Sequence, residues 1–236
     1  METSGLALEN VVLSVHGKAV LNNVSFHADE KRIGLIGANG SGKSTLARVI
    51  LGLLQINSGE LRVHGVDIWK DRKAALKTVG MLFQNPDHQI IFPTCEEEIA
   101  FGLTQLGQSK EKARRAALEI LARFGRADWA SRSTHDLSQG QRHFLCLLSV
   151  LVMQPKLLVF DEPYAGLDLP TSIQLHRSID ALEQQVVLIT HDMDVLADFD
   201  RVIWLDHGEI AGDGKPSDII PKYIAEMTTR AGETDA

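Results

Sequence analysis

The stretch Gly37-Ala-Asn-Gly-Ser-Gly-Lys43-Ser44-Thr45 matches the phosphate-binding pattern G-x-x-x-x-G-K-[ST]. It follows an apolar, strand-like run at residues 32–36 and precedes a run with helical spacing at residues 44–54. Its glycines allow successive backbone N–H groups to point at one anion, and the following helix adds the positive end of its dipole. Lys43 can reach the β- and γ-phosphates, and the Ser44 hydroxyl can bind Mg²⁺. The stretch therefore predicts a nucleoside triphosphate site, with contacts from Gly37, Asn39, Gly40, Ser41, Gly42, Lys43, Ser44 and Thr45.

Composition limits the class of protein. The chain has 236 residues, of which 44% are hydrophobic and 23% charged, so we expect one α/β core with a sizeable insertion. The formal net charge of −7 disfavours a nucleic-acid surface. Cys95 and Cys146 lack metal-ligand spacing, which favours a reducing setting. Residues 1–4 do not begin a signal peptide, and the apolar runs at residues 144–153 and 157–160 are too short for a membrane span.

Two acidic residues follow the apolar run at residues 156–160. Asp161 and Glu162 would be costly at the end of a buried strand unless they met a cation or took part in chemistry. Asp161 can bind Mg²⁺ through water, and Glu162 can polarise an attacking water as a general base. The alternative is that these acids cap a neighbouring helix, which the upstream phosphate loop disfavours.

Three further polar residues lie where a nucleotide site would use them. Gln84 follows an apolar run at residues 79–83 and can reach Mg²⁺ or its water, although a plain surface glutamine is the alternative. His191 follows a run at residues 186–190 and can hold the γ-phosphate or the attacking water. His16 lies in a turn between two β-like runs and can stack on a base, with an exposed turn histidine as the alternative.

A helical segment is predicted at residues 93–136, and a second long helix is expected to begin at Leu-Ser-Gln-Gly-Gln, residues 137–141. Ser138 has the side chain and position of an N-cap, and Gly140 allows a close backbone approach. Such a helix start is a second anion site. For this stretch alone, the alternative is a plain capped helix.

Taken together, these features resemble the motifs of the ATP-binding-cassette ATPase family along residues 6–227. The matching motifs, in chain order, are the Walker A loop at residues 37–45, the Q-loop at Gln84, the signature sequence at residues 137–141, the Walker B strand and catalytic glutamate at residues 157–162, the D-loop at Gly166-Leu-Asp168 and the switch histidine at His191.

The resemblance implies an α/β fold with a P-loop NTPase core, a mixed sheet with flanking helices. It also implies an antiparallel β subdomain and an inserted α-helical subdomain. We expect a single domain at residues 1–228, with the core and its antiparallel part in residues 1–84 and 155–228, and the helical subdomain in residues 85–154. Residues 229–236 are expected to form a disordered tail.

The resemblance also implies ATP and Mg²⁺ as ligands and a head-to-tail pair of cassettes. Each ATP would lie between one phosphate loop and the signature helix of the partner. The implied catalytic residues are Lys43, Glu162 and His191, and the implied Mg²⁺ residues are Ser44, Gln84 and Asp161. Further nucleotide contacts are assigned to His16, Gln84, Ser138, Gly140, Gln141 and Asp168.

Residues 83–94, together with residues 97–102, are similar to cassettes of energy-coupling-factor importers, which take up vitamins and transition-metal ions. Those cassettes carry an apolar groove after the Q-loop for a helix of a membrane coupling protein. Ile90, Ile91 and Phe92 would line that groove here. The alternative is ordinary core packing of the same three residues.

The resemblance implies three partners: a second cassette, expected to be an identical copy, a coupling protein docking near residues 84–92, and a substrate-binding membrane protein. It implies no nucleic acid and places the chain on the cytoplasmic face of the membrane. The short extent after the core resembles dedicated biotin importers, so biotin is preferred over cobalt or nickel as cargo. Gln139, Tyr164 and the offset His16 depart from the family pattern, which bears on nucleotide affinity and base selectivity.

Two other functions compete with this interpretation. One is a soluble cassette ATPase acting on nucleic acid or ribosomes, which the acidic net charge disfavours. The other is a regulatory nucleotide-binding module without turnover, against which Glu162 and His191 argue.

Overall fold

The computed structural model describes residues 4–234. Its strands and helices, in chain order, are β1 (Leu6–Val15), β2 (Lys18–Ala28), β3 (Arg32–Ile36), α1 (Lys43–Ile50), β4 (Ser58–Val63), β5 (Val66–Asp67), α2 (Arg72–Thr78), β6 (Val79–Leu82), α3 (Cys95–Gln105), α4 (Lys110–Arg123), α5 (Gln139–Leu151), β7 (Leu157–Asp161), α6 (Leu169–Asp180), β8 (Gln185–Ile189), β9 (Arg201–Asp206), β10 (Glu209–Gly214) and α7 (Pro216–Thr234).

The chain folds into two compact units, one formed by residues 4–75 with 184–234 and the other by Leu76–Glu183. The predicted boundaries after residues 84 and 154 do not coincide with those of the units. The reason is that β6 and β7 pair with each other in parallel and β6 packs against α5, so both strands group with the helices.

The first unit contains an antiparallel sheet of order β2-β1-β4-β5 and a group of strands centred on β3. In that group β3 runs parallel to β8 on one side and β9 on the other, and β10 adds to β9 in the antiparallel sense. Every residue of β3 and β8 is buried, which is typical of inner strands of a parallel sheet. The predicted mixed sheet and antiparallel part are therefore confirmed.

The second unit is mainly helical, as predicted for its central part. Helices α3, α4 and α5 enclose an apolar core. The buried residues of α3 and α4 recur at helical spacing, whereas residues 145–151 of α5 are all buried, as in a helix covered on every side. The core residues are Cys95, Ile99, Ala117, Leu121, Trp129, Leu137, Leu145 and Leu148. Burial raises the pKa of the Cys95 thiol to about 11, so this cysteine is a packing residue rather than a nucleophile.

The prediction of a disordered tail over residues 229–236 is wrong for its described part, because α7 continues to Thr234. Residues 235–236 lie outside the described chain. The helix packs on β9 through Tyr223, whose ring meets the Trp204 ring edge-on at a centroid separation of 5.5 Å. None of the helices within residues 4–234 combines the length and the apolar character needed to cross a membrane.

The part of α7 beyond residue 228 is paired by charge with β9. The Arg230 guanidinium donates to both carboxylate oxygens of Asp206, at 3.1 and 2.7 Å, and its Nε donates to Glu226 at 2.9 Å. This planar, two-pronged contact is the geometry in which an arginine binds a carboxylate best. It holds the pKa of Asp206 below the usual range. We refer to this pair as the Asp206–Arg230 link.

Candidate functional site

The phosphate loop connects β3 to α1, as predicted. Gly42 occupies the N-cap of α1 with φ of 108°, a left-handed conformation that favours glycine, and no side chain caps the helix. The first N–H groups of α1 therefore lack a partner from within the helix. Those groups and the helix dipole favour a bound anion at this end.

Lys43 begins α1, and its side chain lies across the loop that precedes it. The residue is buried, and its ammonium donates to the carbonyl oxygens of Gly37 at 2.7 Å and Ala38 at 3.0 Å. A buried ammonium needs such acceptors. The loop carbonyls thus hold the positive charge of Lys43 beside the backbone N–H groups at the start of α1.

The floor of the phosphate loop is the turn between β9 and β10. Gly208 donates its N–H to the Ser41 carbonyl at 2.9 Å, and the Gly208 carbonyl accepts from the Asn22 N–H at 2.8 Å. The Ser41 hydroxyl is buried and has no hydrogen-bond partner within residues 4–234. A polar atom left in this state is costly unless a ligand or water satisfies it, which fits a phosphate oxygen.

The two predicted histidines of this unit differ in their positions. In the parallel pairing Leu35 lies opposite Ile189, so His191 follows β8 at the same edge where the phosphate loop follows β3. The His191 side chain is exposed. His16 lies at the turn between β1 and β2 with φ of 50°, and its side chain is also exposed. The position of His191 fits a role beside the phosphates, and base stacking by His16 stays a prediction.

In the second unit, the predicted polar residues follow two paired strands. Leu82 lies opposite Phe160, so Gln84 and the acids Asp161 and Glu162 all follow the same edge of the β6–β7 pair. Both acids are half-buried. Glu162 has φ of 50°, a left-handed conformation that is uncommon for a residue with a side chain and that clusters at functional sites.

The signature stretch starts α5 with a capping box, which confirms Ser138 as the N-cap. The Ser138 hydroxyl accepts from the Gln141 N–H at 3.3 Å, and the Gln141 side chain accepts from the Ser138 N–H at 3.1 Å. A side chain on Gly140 would collide with Thr171, so the close approach at this glycine is made by α6. Part of the signature pattern is thus explained by packing within the unit.

The D-loop aspartate has a similar local role. Asp168 is the N-cap of α6, and its carboxylate accepts from the Thr171 N–H at 2.9 Å. The hydrogen bonds from Thr171 lower the pKa of Asp168. Beside it, Gly166 faces the amide of Gln139, the residue that departs from the family pattern. Gln139 therefore has a packing position next to the D-loop.

Of the three residues predicted to line a docking groove, only Ile91 is largely exposed, at 64%. Ile90 packs against the core of the helical unit, and the Phe92 ring lies 4.9 Å from that of Phe101. The core-packing alternative thus accounts for Ile90 and Phe92. Ile91 is left as the apolar side chain of this segment that a partner can cover.

Glu98 was not singled out from the sequence, yet it fixes this segment. Its buried carboxylate accepts from the backbone N–H groups of Ile91 and Phe92, each at 2.9 Å. Burial raises the pKa of Glu98, and the two backbone bonds oppose that shift. In a sequence, a glutamate in the first turn of a helix is normally interpreted as a charge that interacts favourably with the helix dipole. Only the structure reveals that Glu98 binds the backbone of the preceding segment.

This geometry gives a stability prediction for Glu98. When folding raises the pKa of a carboxyl group, the protein becomes less stable as the pH rises from the pKa of that group in the unfolded state through its pKa in the folded state. Glu98→Gln keeps a hydrogen-bond acceptor but has no charge. We therefore expect that, as the pH rises from 4 to 8, the free energy of unfolding of this variant increases relative to that of the wild type. Glu98→Ala leaves two amides without an acceptor and is expected to cost about 2–4 kcal/mol. Urea unfolding across this pH range measures both, and equal losses in the two variants would contradict the prediction.

Comparisons with known proteins agree with these features. Residues 21–165 match the family model described as ABC transporter. The biotin transport ATP-binding protein BioM of Rhodobacter capsulatus is 50% identical over 222 residues, covering 94% of this chain and 95% of that protein. The BioM protein of Rhizobium etli is 38% identical, covering 92% of this chain and 97% of its own.

Two solved structures are also similar. One is cbiO1 from Clostridium perfringens, part of the ABC transporter complex cbiONQ, with a TM-score of 0.80, 26% identity and 99% of both chains covered. The other is the ATP-binding cassette MJ0796, a dimer bound to ADP and Pi, with a TM-score of 0.75, 25% identity, and 89% of this chain and 98% of that chain covered. The chain therefore belongs to the ABC transporter family, as an ATP-binding and ATP-hydrolysing subunit.

Proposed function

We propose that this chain is the ATPase of an energy-coupling-factor importer and that its cargo is biotin. The observation that carries the proposal is the 50% identity to a biotin transport ATP-binding protein over nearly the whole of both chains. The structural likeness to a component of the cbiONQ complex supports the importer class.

The chemistry assigned to the site is ATP hydrolysis. The phosphate loop and Lys43 bind the phosphates, and the unpartnered Ser41 hydroxyl adds a donor. Mg²⁺, when bound, neutralises charge on the β- and γ-phosphates. The oxygen donors of Ser44, Gln84 and Asp161 are of the kind Mg²⁺ prefers.

Two residues are assigned to the attacking water. Glu162 accepts its proton as the general base, and the unusual backbone conformation of this residue supports a functional constraint. His191 orients the water or holds the γ-phosphate, and its place after β8 supports that role. Both roles follow from the family motifs.

A second copy of the chain is assigned to complete the site. The start of α5 has backbone N–H groups and a helix dipole suited to an anion, and we assign it to the γ-phosphate bound by the partner. Gln141 contributes by fixing the capping box, and Asp168 by starting α6. The likeness to a cassette solved as a dimer with ADP and Pi supports this arrangement.

The segment around Ile91 is assigned to the membrane coupling protein, which would hold the chain on the cytoplasmic face of the membrane beside a substrate-binding membrane protein. An exposed isoleucine beside a loop that is fixed by Glu98 is a suitable apolar contact for an incoming helix. Ile90 and Phe92, on either side of Ile91, are packed within the helical unit, so Ile91 is held in a defined position.

Ile91→Asp tests this docking surface. A charge placed in an apolar interface is expensive to bury, so we expect the share of the chain that sediments with membranes to fall about tenfold. Leu118→Asp, at another exposed apolar residue of the helical unit, is the matched control and should leave sedimentation unchanged. Membrane association of Ile91→Asp at the wild-type level would exclude the surface.

The cargo is tested by uptake. Cells lacking the endogenous importer are given the chain and its membrane partners, and accumulation of labelled biotin, Co²⁺ and Ni²⁺ is compared with and without the chain. Uptake of biotin alone supports the proposal. Uptake of Co²⁺ or Ni²⁺ instead would replace biotin as the cargo, and no dependence of any uptake on the chain would reject the importer function.

A further inference from the structure

A buried histidine joins two of the functional segments in the helical unit. The His143 side chain has no exposed surface, and its Nε2 lies 3.1 Å from the carbonyl oxygen of Gln84. Its Nδ1 lies 3.2 Å from the carbonyl oxygen of Gln139, the first residue of α5. Either ring nitrogen can donate to its carbonyl, and both do so when the ring is doubly protonated. The imidazole therefore lies between the Q-loop backbone and the start of the signature helix.

Two further side chains connect the same segments. Gln89 accepts from the Phe83 N–H and donates to the Cys146 carbonyl of α5, both at 3.4 Å. Arg142 of α5 forms an ion pair with Asp87 at 2.6 Å. The Arg142 pair is partly exposed and contributes little by itself. His143 is the buried member and lies closest to Gln84, so it is the principal connection.

The connected loop leads directly into the docking segment. Residues 84–89 are followed by Ile90, which packs on the core that α5 helps to form, and by Ile91 and Phe92, whose N–H groups Glu98 holds. A displacement of α5 would therefore be transmitted to the loop through His143 and on to the exposed Ile91. Coupling of this kind can be carried by a continuous set of packed and hydrogen-bonded side chains, and these residues supply one.

We propose that His143 is a positioning residue that makes the Q-loop and docking segment move with the signature helix. The inference rests on the proposed function, in which α5 of one copy binds the ATP held by the other. It adds that the docking segment of each copy responds to the nucleotide bound by its partner. His143 itself touches no nucleotide in this scheme.

Hydrogen exchange of the full-length protein tests the inference. The parent protein carries Glu162→Gln, which keeps ATP unhydrolysed, and exchange is compared with and without ATP. We expect ATP to slow exchange at residues 138–141 and at residues 83–92 by about fivefold or more. Adding His143→Ala should remove most of the slowing at residues 83–92 while leaving that at residues 138–141.

Three variants make the result specific. Ser149→Ala removes a buried hydrogen bond within α5, from the hydroxyl to the Cys146 carbonyl, but leaves that carbonyl as the acceptor for Gln89, and it should behave as the parent. His143→Gln retains one donor and should restore part of the slowing at residues 83–92. Gln89→Met removes the second connection and decides the question if His143→Ala does not fold.

The outcomes separate the inference from the proposed function. Full ATP-dependent slowing at residues 83–92 in His143→Ala would overturn the positioning role alone, and full slowing in Gln89→Met would do so if His143→Ala does not fold. If ATP slowed neither segment in the parent protein, the paired-cassette function would fail, and the inference would fail with it. Loss at residues 83–92 in Ser149→Ala as well would identify the effect as general loosening of α5 and would also overturn the role of His143.

Discussion

Glu162→Gln is expected to lower the turnover number for ATP by about 100-fold or more, because a general base contributes about 10²–10⁴ to such a reaction. Glutamine has nearly the same shape but does not accept a proton from the attacking water. ATP binding should persist, since the phosphate loop and Lys43 are unchanged. Phosphate release gives the turnover number, and a fluorescent ATP analogue gives the affinity.

The matched control is Glu183→Gln, which makes the same change at an exposed glutamate of the same unit and should leave turnover unchanged. Glu162→Gln also tests transport, because an importer driven by ATP hydrolysis needs repeated turnover. Full biotin uptake in cells that carry Glu162→Gln would show that Glu162 is not the base. Retention of ATPase activity within about threefold of wild type would lead to the same conclusion.

Lys43→Ala is expected to reduce ATP affinity by about 100-fold or more and to abolish measurable phosphate release. The ammonium donates to two carbonyls of the phosphate loop, which holds it beside the proposed phosphate site. Each charge-assisted bond that it would donate to a phosphate oxygen is worth about 1.5–3 kcal/mol, and these bonds are lost in the variant. The affinity is measured by equilibrium binding of the fluorescent analogue.

Lys31→Ala, at an exposed lysine of the same unit, controls for the loss of one positive charge and should bind ATP normally. Thermal unfolding without nucleotide distinguishes a damaged loop from a lost ligand contact. Wild-type ATP affinity in Lys43→Ala would contradict the assignment of the phosphate site.

The sequence was sufficient to predict the structural features that are formed by residues close together in the chain. The phosphate loop is nine consecutive residues, and its helix and strand flanks are read from hydrophobic spacing, so its conformation follows from the sequence. The N-cap at Ser138 is likewise a local capping box. Asp161 and Glu162 were predicted because they end an apolar strand, and β7 has that position.

Contacts between distant residues could not be predicted in this way. His143 lies in an apolar helical run and gives no local sign that it meets Gln84, which is 59 positions earlier. Gly140 was predicted to allow a close backbone approach, and only the structure shows that Thr171 of α6 makes one. The left-handed backbone of Glu162 has no signal in residue type, since this conformation favours glycine or asparagine.

The unit boundaries differ from the prediction for the same reason. The predicted boundaries were placed at the positions of motifs in the sequence, whereas the compact units depend on which strands and helices contact each other. The strand pair β6–β7 carries predicted site residues at its edge, yet it packs with α5 and so groups with the helices.

The Asp206–Arg230 link connects the end of α7 to the strand that leads into the turn beneath the phosphate loop. Asp206 immediately precedes the turn whose Gly208 holds the Ser41 carbonyl of the phosphate loop. A protein shortened at residue 228 would retain every motif but lose Arg230 and its contacts with Asp206 and Glu226. An affinity tag or a fusion partner is therefore better attached at the amino terminus, because α7 contacts the strand that carries the turn beneath the phosphate loop.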